Sequence, residues 1–246
     1  MQGAQGRGLV ALSDGSEMSI PAHGGRLHVR RLGTVDYGDA LGLQERLFER
    51  TGESWLLLLE HPSVYTLGVR ARDAHMLVDP AAVGATIERV HRGGDVTFHG
   101  PGQLVGYLLV DVPFGPGAVH AHVNAIEQVV IDALGKLGVG GAGRRDGHPG
   151  VWIGDRKIAA VGVRITRGRS MHGFALNVDP DLAMFDHIVP CGIRDLGVTS
   201  LAAEGRAVPI TAVHDAIATR AATRWGDDGS DDRSMRWDDV ATPVLQ

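Results

Sequence analysis

The sequence predicts an α+β fold built on a mixed, mostly antiparallel β-sheet with flanking helices. Three observations carry that expectation. Short apolar segments of strand type come in consecutive blocks, whereas a doubly wound domain would alternate strand and helix one for one. Glycines at Gly93-Gly94 and around Pro101 punctuate those blocks where tight or left-handed turns are needed. Two stretches repeat their apolar residues at the three- and four-residue spacing of a helix that buries one face, so helices are interspersed with the strand blocks.

Taken in order, Ala40, Leu41, Leu43, Leu47 and Phe48 mark the first helix, opened by Asp36 as a cap and closed by Gly52. Ser54 to Glu60 is too short for a typical helix and continuously apolar, as a strand buried on both faces would be. Ala85 to His91, Asp95 to His99 and Gln103 to Val110 follow as strands between glycine turns. Val119, Val123, Ile126, Val130, Leu134 and Leu137 form the apolar stripe of the second helix, which stops at the glycines from Gly138 onward. Val151 to Ile153, Lys157 to Thr166 and Ser170 to Val178 are successive antiparallel strands, with a turn at Gly154-Asp155. A last helix spans about Thr211 to Trp225.

The 246 residues carry 24 Lys+Arg against 29 Asp+Glu, a formal charge of −5, with 43% hydrophobic residues. That is a globular composition able to bury a core without staples. Cys191 is the single cysteine, so no disulfide forms within the chain. No apolar run of about 18 residues is present to span a bilayer, and the first 20 residues hold too much Gly and Ser for a signal peptide, so a cytoplasmic protein is expected. Residues 1–24 read as a loose extension, 25–225 as the globular unit and 226–246, with six Asp against two Arg, as a mobile acidic tail. The negative charge and the absence of an aromatic-rich basic stripe argue against nucleic acid.

The densest unusual segment is RGGDVTFHGPG, Arg92 to Gly102, whose glycines suit either a surface hairpin or a loop that reads a ligand through its main chain. It fits neither the Walker pattern nor the dinucleotide fingerprint. Cys191 lies between Pro190 and Gly192, in a loop where a side chain is readily presented to a pocket. Of the 24 basic residues all but Lys136 and Lys157 are Arg, and Lys157 stands at the mouth of a strand. It reads equally as a solvated turn residue or as a group that passes protons, which a guanidinium does not do. His61, His99, His172 and His187 fall in or beside strands and are available as partners for the thiol. One cysteine and scattered histidines lack the paired spacing of a zinc site. Between Gly143 and Ser170, seven basic side chains, Arg144, Arg145, Arg156, Lys157, Arg164, Arg167 and Arg169, face only Asp146 and Asp155. Such a stretch either steers an anionic partner or forms a solvated face.

Together, EHPSVYTLG at 60–68, RGGDVTFHGPGQLVGY at 92–107, GVW at 150–152, RKIAAVGVR at 156–164, MHGFALNV at 171–178 and PCGI followed by GVTSL at 190–201 resemble the octanoyltransferases of lipoate biosynthesis. The resemblance covers about residues 27–215. It implies a fold like that of biotin and lipoate protein ligases, and transfer of an octanoyl group from octanoyl-acyl carrier protein to a lysine of lipoyl domains, the first step of endogenous protein lipoylation. The acceptors implied are the lipoyl domains of 2-oxoacid dehydrogenase complexes and the glycine cleavage H protein. No cofactor, metal, nucleic acid or membrane is implied. Cys191 matches the acyl-thioester nucleophile, and Lys157 the lysine that lowers the cysteine pKa. Substrate contacts fall on Arg92, Gly93, Gly94, Asp95, Val96, Thr97, Phe98 and His99, on Ala160, Val161 and Gly162, and on Gly173, Phe174 and Ala175. Two other readings stand beside it: an ATP-dependent lipoate or biotin protein ligase of the same fold, against which Cys191 argues, and a noncatalytic acyl-carrier-binding module.

Overall fold

The computed structural model describes residues 8–11, 17–20, 25–189, 196–226, 229–235 and 237. The strands are β1 (Gly8–Ala11), β2 (Glu17–Ile20), β3 (Leu27–Thr34), β4 (Ser54–Glu60), β5 (Val64–Leu67), β6 (Thr86–Arg89), β7 (Val96–His99), β8 (Gln103–Leu109), β9 (Ala142–Gly143), β10 (Val151–Ile153), β11 (Arg156–Thr166), β12 (Arg169–Asn177), β13 (Gly197–Val198) and β14 (Ser230–Ser234). The helices are α1 (Tyr37–Phe48), α2 (Ala118–Lys136) and α3 (Ile210–Trp225).

The main sheet runs β14-β3-β4-β8-β12-β11-β10-β9, with β13 beside the start of β11. Its β14·β3, β3·β4 and β11·β13 pairs are parallel and the others antiparallel, so the sheet is mixed and mostly antiparallel as the strand blocks predict. A small sheet, β6-β5-β7, stands apart from it, and β1 pairs with β2. The main sheet separates two apolar layers. On one face Leu56, Leu58, Leu104, Leu108, Phe174 and Leu176 pack with α2 and α3 through Ile126, Val130, Leu134, Val213 and Ile217. On the other face Leu57, Leu59, Val105, Tyr107 and Ala175 pack with α1 through Ala40, Leu43 and Leu47. The unbroken apolar run of β4 follows from this double coverage, since its successive residues feed both layers.

Four local expectations are corrected. Asp36 stands at the N-cap of α1 but its side chain makes no capping hydrogen bond. The segment from Ala85 contracts to a four-residue edge strand, β6, exposed along its whole length. Val119 is 57% exposed, because the first turn of α2 overhangs a cavity instead of the sheet. Part of the acidic segment after 226 is ordered as β14: Arg30 and Arg31 of β3 pair with Asp231 and Asp232, and those charges fix an edge strand that hydrophobic period does not reveal.

Candidate active site

Antiparallel β11 and β12 form the floor of a cavity of about 250 Å³, and the turn before β7 forms its opposite wall. Thirteen of the fourteen residues expected to touch substrate line this one cavity: Arg92 to Thr97 and His99, Ala160 to Gly162, and Gly173 to Ala175. Phe98 is the correction. Its ring, 2% exposed, is enclosed between Tyr65 and Phe185 in the apolar cluster it shares with Val96 and Leu67.

The floor is flat because its residues are small. Ala160 pairs with Ala175, and Gly162 with Gly173, in consecutive same-face positions. Gly173 admits no larger residue, since a Cβ there would stand 2.2 Å from the carbonyl oxygen of Gly106 on β8. Apolar walls come from Val105, Val123, Trp152, Val161, Val163, Phe185 and Val198.

Arg92 is directed inward to the scaffold. Its Nη2 donates to the Thr66 hydroxyl and carbonyl, both at 2.7 Å, and its Nη1 to the Gly93 carbonyl at 3.1 Å. Asp95 accepts from the Val96 amide at 2.7 Å and faces His75 Nδ1 at 2.6 Å. The His75 carbonyl in turn accepts from the Val189 amide, and the Leu77 amide donates to the His187 carbonyl. The glycine-rich turn is therefore braced to the chain that enters residues 190–195.

Lys157 lines the cavity at the start of β11, its Nζ 4.8 Å from the centre of the Trp152 ring, so the ammonium lies over an aromatic face. Cys191, in the segment 190–195, lies outside the described residues. On its far side Leu196, Gly197 and Val198 line the cavity, and the Thr199 amide donates to the Lys157 carbonyl.

Three of the four histidines singled out in the sequence, His61, His99 and His172, converge with Tyr37 and Tyr107; His187 goes elsewhere, bonded to Tyr65. His61 Nδ1 is 2.6 Å from the Val35 carbonyl, which only accepts, so Nδ1 carries the proton and Nε2 accepts from the Tyr107 hydroxyl at 2.6 Å. Burial pushes His61 down to about 4, and His99 and His172 to about 3, so all three are neutral. The same burial pushes Tyr37 up to about 12 and Tyr107 upward. His99 donates to Gln103 Oε1, Gln103 Nε2 donates to Asn177 Oδ1, and Asn177 Nδ2 donates to the Thr199 carbonyl. That chain links the glycine-rich turn to the strand carrying Lys157. Tyr37, Gln103, Tyr107, Trp152 and Asn177 line the cavity without having been singled out from the sequence, although all but Tyr37 fall within the quoted motifs.

The arginine-rich stretch does not form a free positive face. Arg144 pairs with Glu127, Arg145 with Asp155, Arg156 with Glu204, Arg167 with Glu49, and the buried Arg169 with Asp111. Asp155 lies within the stretch, whereas Glu127, Glu204, Glu49 and Asp111 come from other parts of the chain, beyond the reach of a local charge balance.

Residues 36–222 match the family described as the lipoyl protein ligase A/B catalytic domain. An octanoyltransferase of Mycobacterium sp. (strain KMS) is 48% identical over 204 residues, covering 79% of this chain and 83% of the relative. The chain belongs to the octanoyltransferase family. Another family member, from Salinispora arenicola (strain CNS-205), is 48% identical over 196 residues, covering 75% of this chain and 89% of that one. The family fold is also that of a solved lipoate protein ligase from Thermoplasma acidophilum, with TM-score 0.69 at 18% identity over 90% of this chain and 91% of that chain. A lipoate-protein ligase A solved with ATP gives TM-score 0.66 at 16% identity, over 90% of this chain and 94% of that chain. No described helix is long and apolar enough to cross a membrane.

Proposed function

We propose that the chain transfers an octanoyl group from octanoyl-acyl carrier protein to a lysine of a lipoyl domain, with Cys191 carrying the acyl group as a thioester and Lys157 moving protons. The observation that carries this reading is the convergence of the small-residue floor, the glycine-rich turn and Lys157 on one largely apolar cavity. At about 0.8 kcal/mol per buried carbon, the seven carbons beyond an octanoyl carbonyl contribute about 5–6 kcal/mol of binding in such a slot.

A thiol of ordinary pKa is only about 3% thiolate at pH 7, and a nearby ammonium raises that fraction. The thiolate attacks the thioester carbonyl, the carrier's thiol leaves, and Lys157 supplies its proton. The neutral Lys157 amine then takes a proton from the incoming lysine amine as it attacks the acyl-enzyme, and Cys191 leaves as thiolate. One thioester is exchanged for another and then for an amide, so no nucleotide is consumed.

The test is mass spectrometry of the protein mixed with octanoyl-acyl carrier protein and no acceptor. One octanoyl group is expected on Cys191 and none on a Cys191→Ser variant, which should also fail to modify a lipoyl domain. Carrier binding without any mass gain would make the chain a binding module. Lipoyl-domain modification that requires free octanoate and ATP would make it a ligase.

A further inference from the structure

We infer that His172 sets the length of acyl chain the cavity accepts, by carrying its imidazole across the end of the small-residue floor. The inference rests on the octanoyl-transfer reading and adds to it the residue that limits the substrate.

The floor starts near Lys157 and runs along β11 and β12 over Ala160↔Ala175 and Gly162↔Gly173, advancing about 3.3 Å per residue. Val105 and Tyr107 of β8 flank it, paired with Ala175 and Gly173. The next cross-strand pair is Val163↔His172. By strand alternation, position 172 belongs with Phe174 and Leu176, which pack under α2 and α3. The imidazole is found instead beside Tyr107, a member of the α1-side layer, edge-on with ring centres 6.2 Å apart.

The backbone makes the diversion. His172 has φ +61 within a strand whose register with β11 is unbroken, and its amide is held by Gln44 Oε1 of α1 at 2.9 Å. A positive φ is strained for a residue with a Cβ. The ring is 3% exposed, lines the cavity, and its Nδ1 has no hydrogen-bond partner among the described residues. Strain and an orphaned nitrogen both work against the fold, so the fold by itself does not account for a histidine at this position. What the arrangement achieves is a rigid ring where the floor would otherwise continue. Burial, with Arg92, Arg164 and His91 nearby, keeps that ring uncharged, so it can face the methyl end of a chain.

The experiment measures kcat/KM for hexanoyl to dodecanoyl carrier thioesters in wild type, His172→Gly and His172→Asn. Glycine accepts φ +61 without strain and removes the ring, and asparagine tolerates the left-handed region while removing part of it. Each added methylene that finds room is worth about fourfold, so the decanoyl-to-octanoyl ratio should rise roughly 15-fold in His172→Gly, with His172→Asn between. A fall in rate that is equal for all chain lengths, or failure of both variants to fold, would make His172 structural and overturn the inference. Wild type that transfers no acyl group at all would overturn the transfer reading and the inference with it, an outcome distinct from an unchanged ratio in an active enzyme.

Discussion

Acidification from pH 8 to pH 5.5 is expected to weaken this fold by about 4 kcal/mol, through the three buried histidines of the cavity. His61 titrates near 4, and His99 and His172 near 3, in the folded chain, against an ordinary value near 6.5 once unfolded. Each folded-state pKa is depressed, so the unfolded chain binds the extra protons. The stabilisation is present above pH 6.5 and is lost as pH falls toward the folded values. At pH 5.5 each group then costs about 1.4 kcal/mol, and the three together a large share of the roughly 5–15 kcal/mol by which domains are stable. His214, also pushed down by burial, acts in the same direction, whereas Glu127, raised by burial, acts in the opposite direction nearer its own range. Urea unfolding followed between pH 8 and 5.5 should show the midpoint falling steeply below pH 6.5. Calorimetry at pH 5.5 should show about three protons taken up per chain on unfolding. An uptake below one proton, or an unfolding free energy that is flat across the window, would refute the neutral buried cluster.

Two further substitutions probe the site. Lys157→Arg keeps a cation over Trp152 but removes the group that gives and takes protons, so transfer should fall by at least about 10²-fold with the melting temperature nearly unchanged; retained turnover would limit Lys157 to an electrostatic role. Gly106→Ala places a Cβ 2.2 Å from Cε1 of Phe174, whose ring covers that glycine and lines the cavity, and should cost about 1–3 kcal/mol in urea unfolding and slow transfer, whereas unchanged stability would mean that the ring has room to move.

Several elements were legible in the sequence because local pattern alone specifies them. The period of α2, the continuous apolar run of β4 and the turn after Ile153 recur at their expected places. So did most of the cavity: the glycine-rich turn, the Ala160–Gly162 run and the Gly173–Ala175 run are short motifs whose residue types are constrained by close backbone approach. Where the expectations failed, the missing information was non-local. Arg169 looks like one member of a basic stretch, yet it is buried, ion-paired to Asp111 and bonded to the Glu53 carbonyl. Asp231 and Asp232 look like tail residues until Arg30 and Arg31 are placed beside them.

The sequence by itself determined the fold class, the family and the set of small and polar residues from which the cavity is made, because hydrophobic period and ordered motifs are properties of the chain read in one dimension. Tertiary structure alone decided that β11 and β12 pair so that Ala160 meets Ala175 and Gly162 meets Gly173. It also decided that His61, His99 and His172 are neutral, and that the ring of His172 crosses to the face opposite its place in the strand. Burial, pairing register and backbone strain depend on which distant segments enclose a residue, and no local pattern encodes that enclosure.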